Sequence, residues 1–196
     1  MSSNLAIAIA EVGQKVLLID ADMRKPRLHD IFGMPNARGL SDLLREPKNG
    51  HPPEKAEQPT GIPGLSLLTS GSGASSATNL FYSSRMPELL AQYRKDFDTV
   101  VIDTPPMLQI PDARVLGRMA DTVILVLRAN KTTRDAALAA RQRFAEDGTP
   151  LLGTILNDWD PKSSPNGYYG YYNGYYKNYH GYYGKRETGE EKVGKS

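Results

Sequence analysis

Two short apolar runs in this 196-residue chain close on aspartate, and its chemistry is expected there. The first reads Val16-Leu17-Leu18-Ile19-Asp20-Ala21-Asp22-Met23-Arg24, the second Val100-Val101-Ile102-Asp103-Thr104-Pro105-Pro106. In open parallel sheets ligands bind beyond the carboxyl ends of the strands, so both aspartates would stand at the ligand edge. A carboxylate closing an apolar strand is one way a phosphoryl-transfer enzyme holds Mg²⁺, a hard cation that keeps several waters and needs only one or two carboxylates. For one strand alone, a turn or a helix cap explains the aspartate better. Two such strands, one with a second carboxylate two residues on, favour a site. Asp20 and Asp22 are close enough to serve it together, one binding metal while the other takes a proton from an incoming hydroxyl. Arg24, Lys25 and Arg27 follow at once and could balance phosphate charge; a solvated basic turn explains them equally well.

A second feature lies far downstream. Nine of the eleven tyrosines fall between Tyr168 and Tyr183, mostly as pairs separated by Gly or Asn. Each phosphorylated phenol adds ~1.5–2 negative charges near neutral pH. Nine would add roughly fourteen to eighteen, against a formal net charge of +2. Such a tail would repel its neighbours and could dissolve an assembly held together by tails in active sites. The competing reading is an adhesive low-complexity segment that uses tyrosine stacking to self-associate or to bind nucleic acid. Only Lys177 and His180 stand among the tyrosines, so the basic charge for nucleic acid is lacking.

The elements that must position the aspartates are short runs rich in Val, Ile and Leu. They are Lys15–Asp20, Thr99–Asp103, Thr122–Arg128 and Leu151–Asn157, with Leu65–Leu68 a weaker fifth. They barely alternate, as strands buried on both faces do. Helical patterns lie between them, over Ser3–Val12, Gly39–Arg45, Arg85–Arg94, Ala113–Met119 and Thr133–Glu146. Strands alternating with helices imply right-handed crossovers and a mostly parallel sheet, an α/β fold flanked by helices. The proline-rich stretch Pro47–Gly64 reads as a long surface loop. The composition changes after Asp158, so residues 1–160 are expected to fold as one domain. Residues 161–196 are expected to form a flexible tyrosine-rich tail.

The absence of cysteine excludes disulfides, thiolate metal sites and a cysteine nucleophile. His29, His51 and His180 show no ligand spacing. No apolar stretch approaches the roughly 18 residues of a membrane span, and Leu5–Ala10 lacks the flanks of a signal peptide. A cytoplasmic location is the expectation.

At these residues the sequence resembles the bacterial protein-tyrosine kinases of capsule and exopolysaccharide biosynthesis, within the deviant-Walker, ParA/MinD-like class of P-loop proteins. LLIDADMRKP looks like the second Walker motif of that family and TVVIDTPP like its Walker B. Asn4-Leu5-Ala6-Ile7-Ala8 matches the helix that follows the P-loop, and Asp112-Ala113 and TVILVLR fit the pattern downstream of Walker B. The match covers nearly all of Met1–Asp160, and the tyrosine-rich end separates the kinases from their ATPase relatives. The resemblance implies ATP and Mg²⁺ as cofactors. By position, Asp20 would activate the acceptor hydroxyl and Asp22 and Asp103 would organise the metal. Arg24 would lie by the nucleotide and Asn157 where related ATPases contact the adenine. The acceptors would be Tyr168, Tyr169, Tyr171, Tyr172, Tyr175, Tyr176, Tyr179, Tyr182 and Tyr183. Implied partners are sister subunits phosphorylated in trans, a membrane-embedded polysaccharide chain-length or activator protein, and a tyrosine phosphatase, with no nucleic acid. Through that membrane partner, or an upstream region, the domain would sit at the inner face of the membrane.

Two departures bear on these expectations. The family usually carries an NP-x-x-LL-like segment before Walker B, where this chain reads Ser76-Ala77-Thr78-Asn79-Leu80-Phe81. No G-x-x-x-x-G-K-[ST] occurs in the 196 residues, although the family places that loop and its strand just before the first helix. The resemblance puts the strand centrally in the sheet. Its neighbours would then keep unpaired backbone groups and exposed apolar faces, and ATP binding by these residues alone would be poor. A regulatory ParA/MinD-like ATPase, or a catalytically dead interaction subunit presenting tyrosines to another kinase, are the alternatives.

Overall fold

The computed structural model describes residues 1–46, 55–72 and 77–160. The tyrosine-rich segment, with the nine tyrosines named above as acceptors, lies outside the described residues.

The strand β1 (Val16–Asp20) organises the molecule. It pairs in parallel with β3 (Leu65–Leu68) on one side and with β4 (Thr99–Asp103) on the other. The short β2 (Gln58–Pro59) adds antiparallel to β3, so the sheet order is β2-β3-β1-β4. Because both edges of β1 are paired, its apolar side chains divide between two faces. Leu17 and Ile19 enter a core with Leu40, Leu43, Phe81, Met86, Leu89 and Leu116. Val16 and Leu18 enter a second core with Ala6, Ala10, Leu28, Leu65 and Leu67. The five residues of β1 are all 0 % exposed, which explains why the strand does not alternate in sequence. Burying one such Leu or Ile side chain contributes about 1.5–3 kcal/mol.

Helices cover both faces. α1 (Ser2–Glu11) supplies the small residues Ala6 and Ala10 to one core, which brings its backbone close to the sheet. The other face is covered by α3 (Leu40–Arg45), α4 (Ala77–Phe81), α5 (Arg85–Asp96) and α6 (Asp112–Gly117). Gly39 precedes α3 where a Cβ would stand 2.2 Å from the carbonyl oxygen of Thr69, so only glycine allows the chain segments to touch there.

Two strands stand apart. β5 (Val123–Arg128) and β6 (Leu151–Asn157) pair in parallel with each other, joined by α7 (Arg134–Glu146), and form a separate two-stranded sheet. A third core, of Met107, Ala113, Ala140 and Phe144 with Val123, Leu125 and Leu151, holds that unit against α6. Among the described residues β4 pairs only with β1, and its five residues are half-buried where those of β1 are closed off.

The expected strands and helices are all present, with boundaries that coincide or shift by at most two residues. Three elements are additional: α2 (Leu28–Phe32), α4 and β2, which forms inside the stretch anticipated as loop. Among the described residues no helix is long and apolar enough to cross a membrane.

Candidate functional site

The site begins with a register. Asp20 and Asp103 are direct partners at the ends of β1 and β4, and neighbouring strands run about 4.8 Å apart. Both strands are parallel, so both carboxylates stand at the same edge of the sheet.

Asp20 is fully buried, and backbone donors surround it. Its Oδ1 accepts the N–H of Asp22 at 3.3 Å, and its Oδ2 accepts those of Arg27 at 3.1 Å and Leu28 at 3.0 Å. Arg27 and Leu28 open α2, which has no side-chain cap of its own. Asp20 thus caps α2 from the end of β1 and ties down the loop 21–27. Burial pushes the Asp20 carboxyl above its ordinary value and Asp103 adds to the push, against the three backbone donors that favour the ionised form.

Asp22 is half-buried and makes a local turn, its Oδ1 accepting the N–H of Arg24 at 3.2 Å and of Lys25 at 3.0 Å. Asp103 is half-buried as well. Burial raises its carboxyl, the Ser2 hydroxyl donates to it and lowers it, and the charge of Asp22 raises it again. The three aspartates therefore share one neighbourhood. Arg24 lies across from them, its Nε 3.7 Å from Oδ2 of the buried Asp112 at the start of α6. The basic residues Arg24, Lys25 and Arg27 are held beside the carboxylates by Asp20, Asp22 and Asp112 rather than left as a free turn.

Asn157 is placed differently. It ends β6 in the other sheet, is exposed, and its backbone carbonyl accepts the N–H of Ala129. Ser2 was not anticipated as a site residue. Nothing in its own neighbourhood marks it, because its contact with Asp103 depends on how α1 lies across β4. Asp112 carried a signal, an acid opening a helix, without any indication of its partner.

Among the described residues no group of three or more His, Asp or Glu side chains could by itself hold a metal. Carboxylates on two adjacent strands with a nearby hydroxyl instead suit Mg²⁺, which takes few protein ligands and completes its shell with water and phosphate oxygens. The donor set fits that ion, with Asp22 and Asp103 as the residues that would hold it.

A mostly parallel sheet between helical layers, with acidic residues at the carboxyl ends of adjacent strands, defines a P-loop NTPase-like protein of the α/β class. Residues 1–139 match the model of the AAA domain family. The chain is 39% identical over 171 residues to the tyrosine-protein kinase YwqD of Bacillus subtilis, covering 87% of this chain and 70% of that one. It is 34% identical over 172 residues to the putative tyrosine-protein kinase CapB of Staphylococcus aureus, covering 88% and 74%. The solved kinase domain of the Escherichia coli tyrosine kinase ETK superposes with a TM-score of 0.75 at 35% identity, covering 84% of this chain and 64% of that one. The chain belongs to the bacterial protein-tyrosine kinases of capsule and exopolysaccharide biosynthesis.

Proposed function

We propose that this chain is an ATP-dependent protein-tyrosine kinase domain that phosphorylates its own C-terminal tyrosine cluster, largely between sister subunits, and thereby regulates capsule or exopolysaccharide assembly. The observation that carries the reading is the pairing of Asp20 with Asp103 at one sheet edge, with a tethered basic loop beside them. Bound Mg²⁺·ATP supplies the phosphoryl group and neutralises its developing charge.

The residues divide the remaining work. Asp22 and Asp103 would hold the metal, and Arg24, oriented by Asp112, would face phosphate charge. Asp20 accepts the phenol proton. Its raised carboxyl lies nearer the working range of a general base than an ordinary aspartate. Its Oδ1 carries one hydrogen bond, that from Asp22, and keeps acceptor capacity. Because Asp20 is closed to solvent, an acceptor phenol meets it only when the loop 21–27 gives way. Asn157 would contact the adenine. Sister subunits, a membrane-embedded chain-length or activator protein and a tyrosine phosphatase complete the system, which acts at the inner face of the membrane.

Mass spectrometry of the protein purified from cells that produce it naturally tests the reading. Phosphate is expected on several residues between Tyr168 and Tyr183, and its disappearance is expected in Asp103→Asn. A tail free of phosphotyrosine in the wild type would overturn the proposal.

A further inference from the structure

Asp147 caps the end of α7, and its side chain is only 2% exposed. It has no part in the proposed mechanism, yet two arginines hold it. Arg114 grips it in a fork, Nε to Oδ2 at 2.6 Å and the terminal nitrogen to Oδ1 at 2.8 Å. Arg118 donates to the same Oδ1. Both arginines come from α6: Arg114 lies within it and Arg118 closes it. Four residues apart, they stand on one side of the helix.

The opposite side of α6 carries Asp112, two residues before Arg114 and so about 200° around the axis. Asp112 is buried and ion-paired with Arg24 of the loop 21–27, Nε to Oδ2 at 3.7 Å. The helix is therefore held by charge from both sides, and its packing leaves it no room to turn. Val115 and Leu116 are buried in the main core, and Ala113 in the third. A Cβ on Gly117 would stand 3.2 Å from side-chain atoms of Phe144 and Thr149 and 3.4 Å from Val123, so α6 rests closely on α7 and β5. Six helical residues span only about 9 Å. Over that length α6 moves as one piece, and any rotation shifts Asp112 together with Arg114 and Arg118.

We propose that Asp147 is a positioning residue for the phosphoryl-transfer site, acting through α6 on Arg24. The inference rests on the kinase reading above. Asp147 holds Arg114 and Arg118, these fix the rotation of α6, and that rotation sets where Asp112 holds Arg24. Arg24 belongs to the loop that Asp20 and Asp22 tie down, so its guanidinium is placed by both ends of the chain of contacts. Without the charge on Asp147, two guanidiniums four residues apart on one helix face repel each other and lose their common acceptor. The helix then turns, and Arg24 is misplaced. A fixed cation is worth most where negative charge develops in the transition state, so the loss falls on kcat rather than on substrate binding.

Phosphate transfer from ATP to a tyrosine-containing peptide, by the full-length protein produced in its native cells, tests this. Asp147→Asn should lower kcat about tenfold and leave the KM for ATP unchanged. Asp147→Glu keeps the charge and should recover most of the loss. The deciding measurement is Asp147→Asn in an Arg24→Gln background, at a temperature where circular dichroism shows every variant folded. There the substitution should change kcat by less than about twofold, because the residue through which it acts is gone. Should Asp147→Asn not fold, Arg118→Gln removes one of the two grips from a side chain that is 60% exposed. It should show a smaller loss of kcat, again only while Arg24 is present. Equal losses with and without Arg24 would make Asp147 a support of the fold alone and overturn the proposal, as would a wild-type kcat in Asp147→Asn. No transfer by the wild-type protein would defeat the kinase reading, and the proposal with it.

Discussion

Val16–Asp20 and Val123–Arg128 are both apolar runs that close on a charged residue, yet the molecule treats them in opposite ways. Every side chain of β1 is out of solvent, whereas in the second sheet Val126 is 45% exposed, Leu156 55% and Leu152 71%. The difference lies in the neighbours. β1 has a strand on each edge and a core on each face. Among the described residues β5 pairs with β6 alone, and Ile124, Val126 and Ile155 on one face of that pair join none of the three cores. Burial is thus conferred by what a strand packs against, and the carboxylates Asp20 and Asp103 stand on the sheet where that packing is complete on at least one side.

The largest effect that could break this comparison is a matched pair of truncations. Leu18→Ala in β1 should cost about 2–5 kcal/mol, because it opens a cavity in a closed core. Leu152→Ala in β6 should change stability by no more than about 0.5 kcal/mol, since that side chain is mostly in water already. Guanidinium unfolding of both variants measures the two. Equal losses would mean that the second sheet is covered in solution and the contrast is void.

The contrast also explains what could be read from the residues. The strands were legible because runs of Val, Ile and Leu closing on Asp20, Asp103 or Asn157 leave few alternatives, and the longer helices because their apolar positions repeat. α2 escaped because five residues give no period and because its cap, Asp20, lies eight positions upstream of Leu28. β2 escaped because Pro59 argues against a strand except at an edge, which is where it lies. The site was half legible: the types and positions of the acids were visible, but not that Asp20 would be enclosed by backbone donors or that Ser2 would reach Asp103.

A second, smaller effect follows from that enclosure. Asp20→Ala leaves the N–H groups of Asp22, Arg27 and Leu28 without their acceptor and should cost about 1–3 kcal/mol, seen as a lowered Tm. Asp20→Asn keeps one acceptor oxygen and should lose less. Both should lose tail phosphorylation. An Asp20→Asn protein with wild-type phosphotyrosine would leave Asp20 as a helix cap and nothing more.

Acid should separate the two regions without any mutation. Asp147 is held at about 2, chiefly by Arg114 and then Arg118, whereas an unfolded aspartate titrates near about 3.9. Its contribution to stability is therefore complete above about pH 4 and is lost as the pH falls toward about 2. Asp20 and Asp103 shift the other way. They take up protons more readily folded than unfolded, so acidification relieves a cost on their sheet. Hydrogen exchange at pH 4 and pH 2.5 should show α7 and β6 opening first while β1 and β4 stay protected. Asp147→Asn should abolish the acid-dependent part of that difference, and simultaneous opening in the wild type would contradict the assignment.

The smallest expected effect concerns the end of β6, in the second sheet. Asn157 is exposed, and its backbone rather than its side chain makes the contact with Ala129. Replacing it with alanine should leave stability within about 0.5 kcal/mol of the wild type. An adenine contact through its amide is equivalent to about one hydrogen bond, so the KM for ATP should rise roughly fivefold while kcat is retained, the signature of uniform binding lost. The same measurement on Asp103→Asn should lose kcat instead. If Asn157→Ala leaves KM unchanged, the second sheet takes no part in holding the base, and the nucleotide is bound from the β1–β4 side alone.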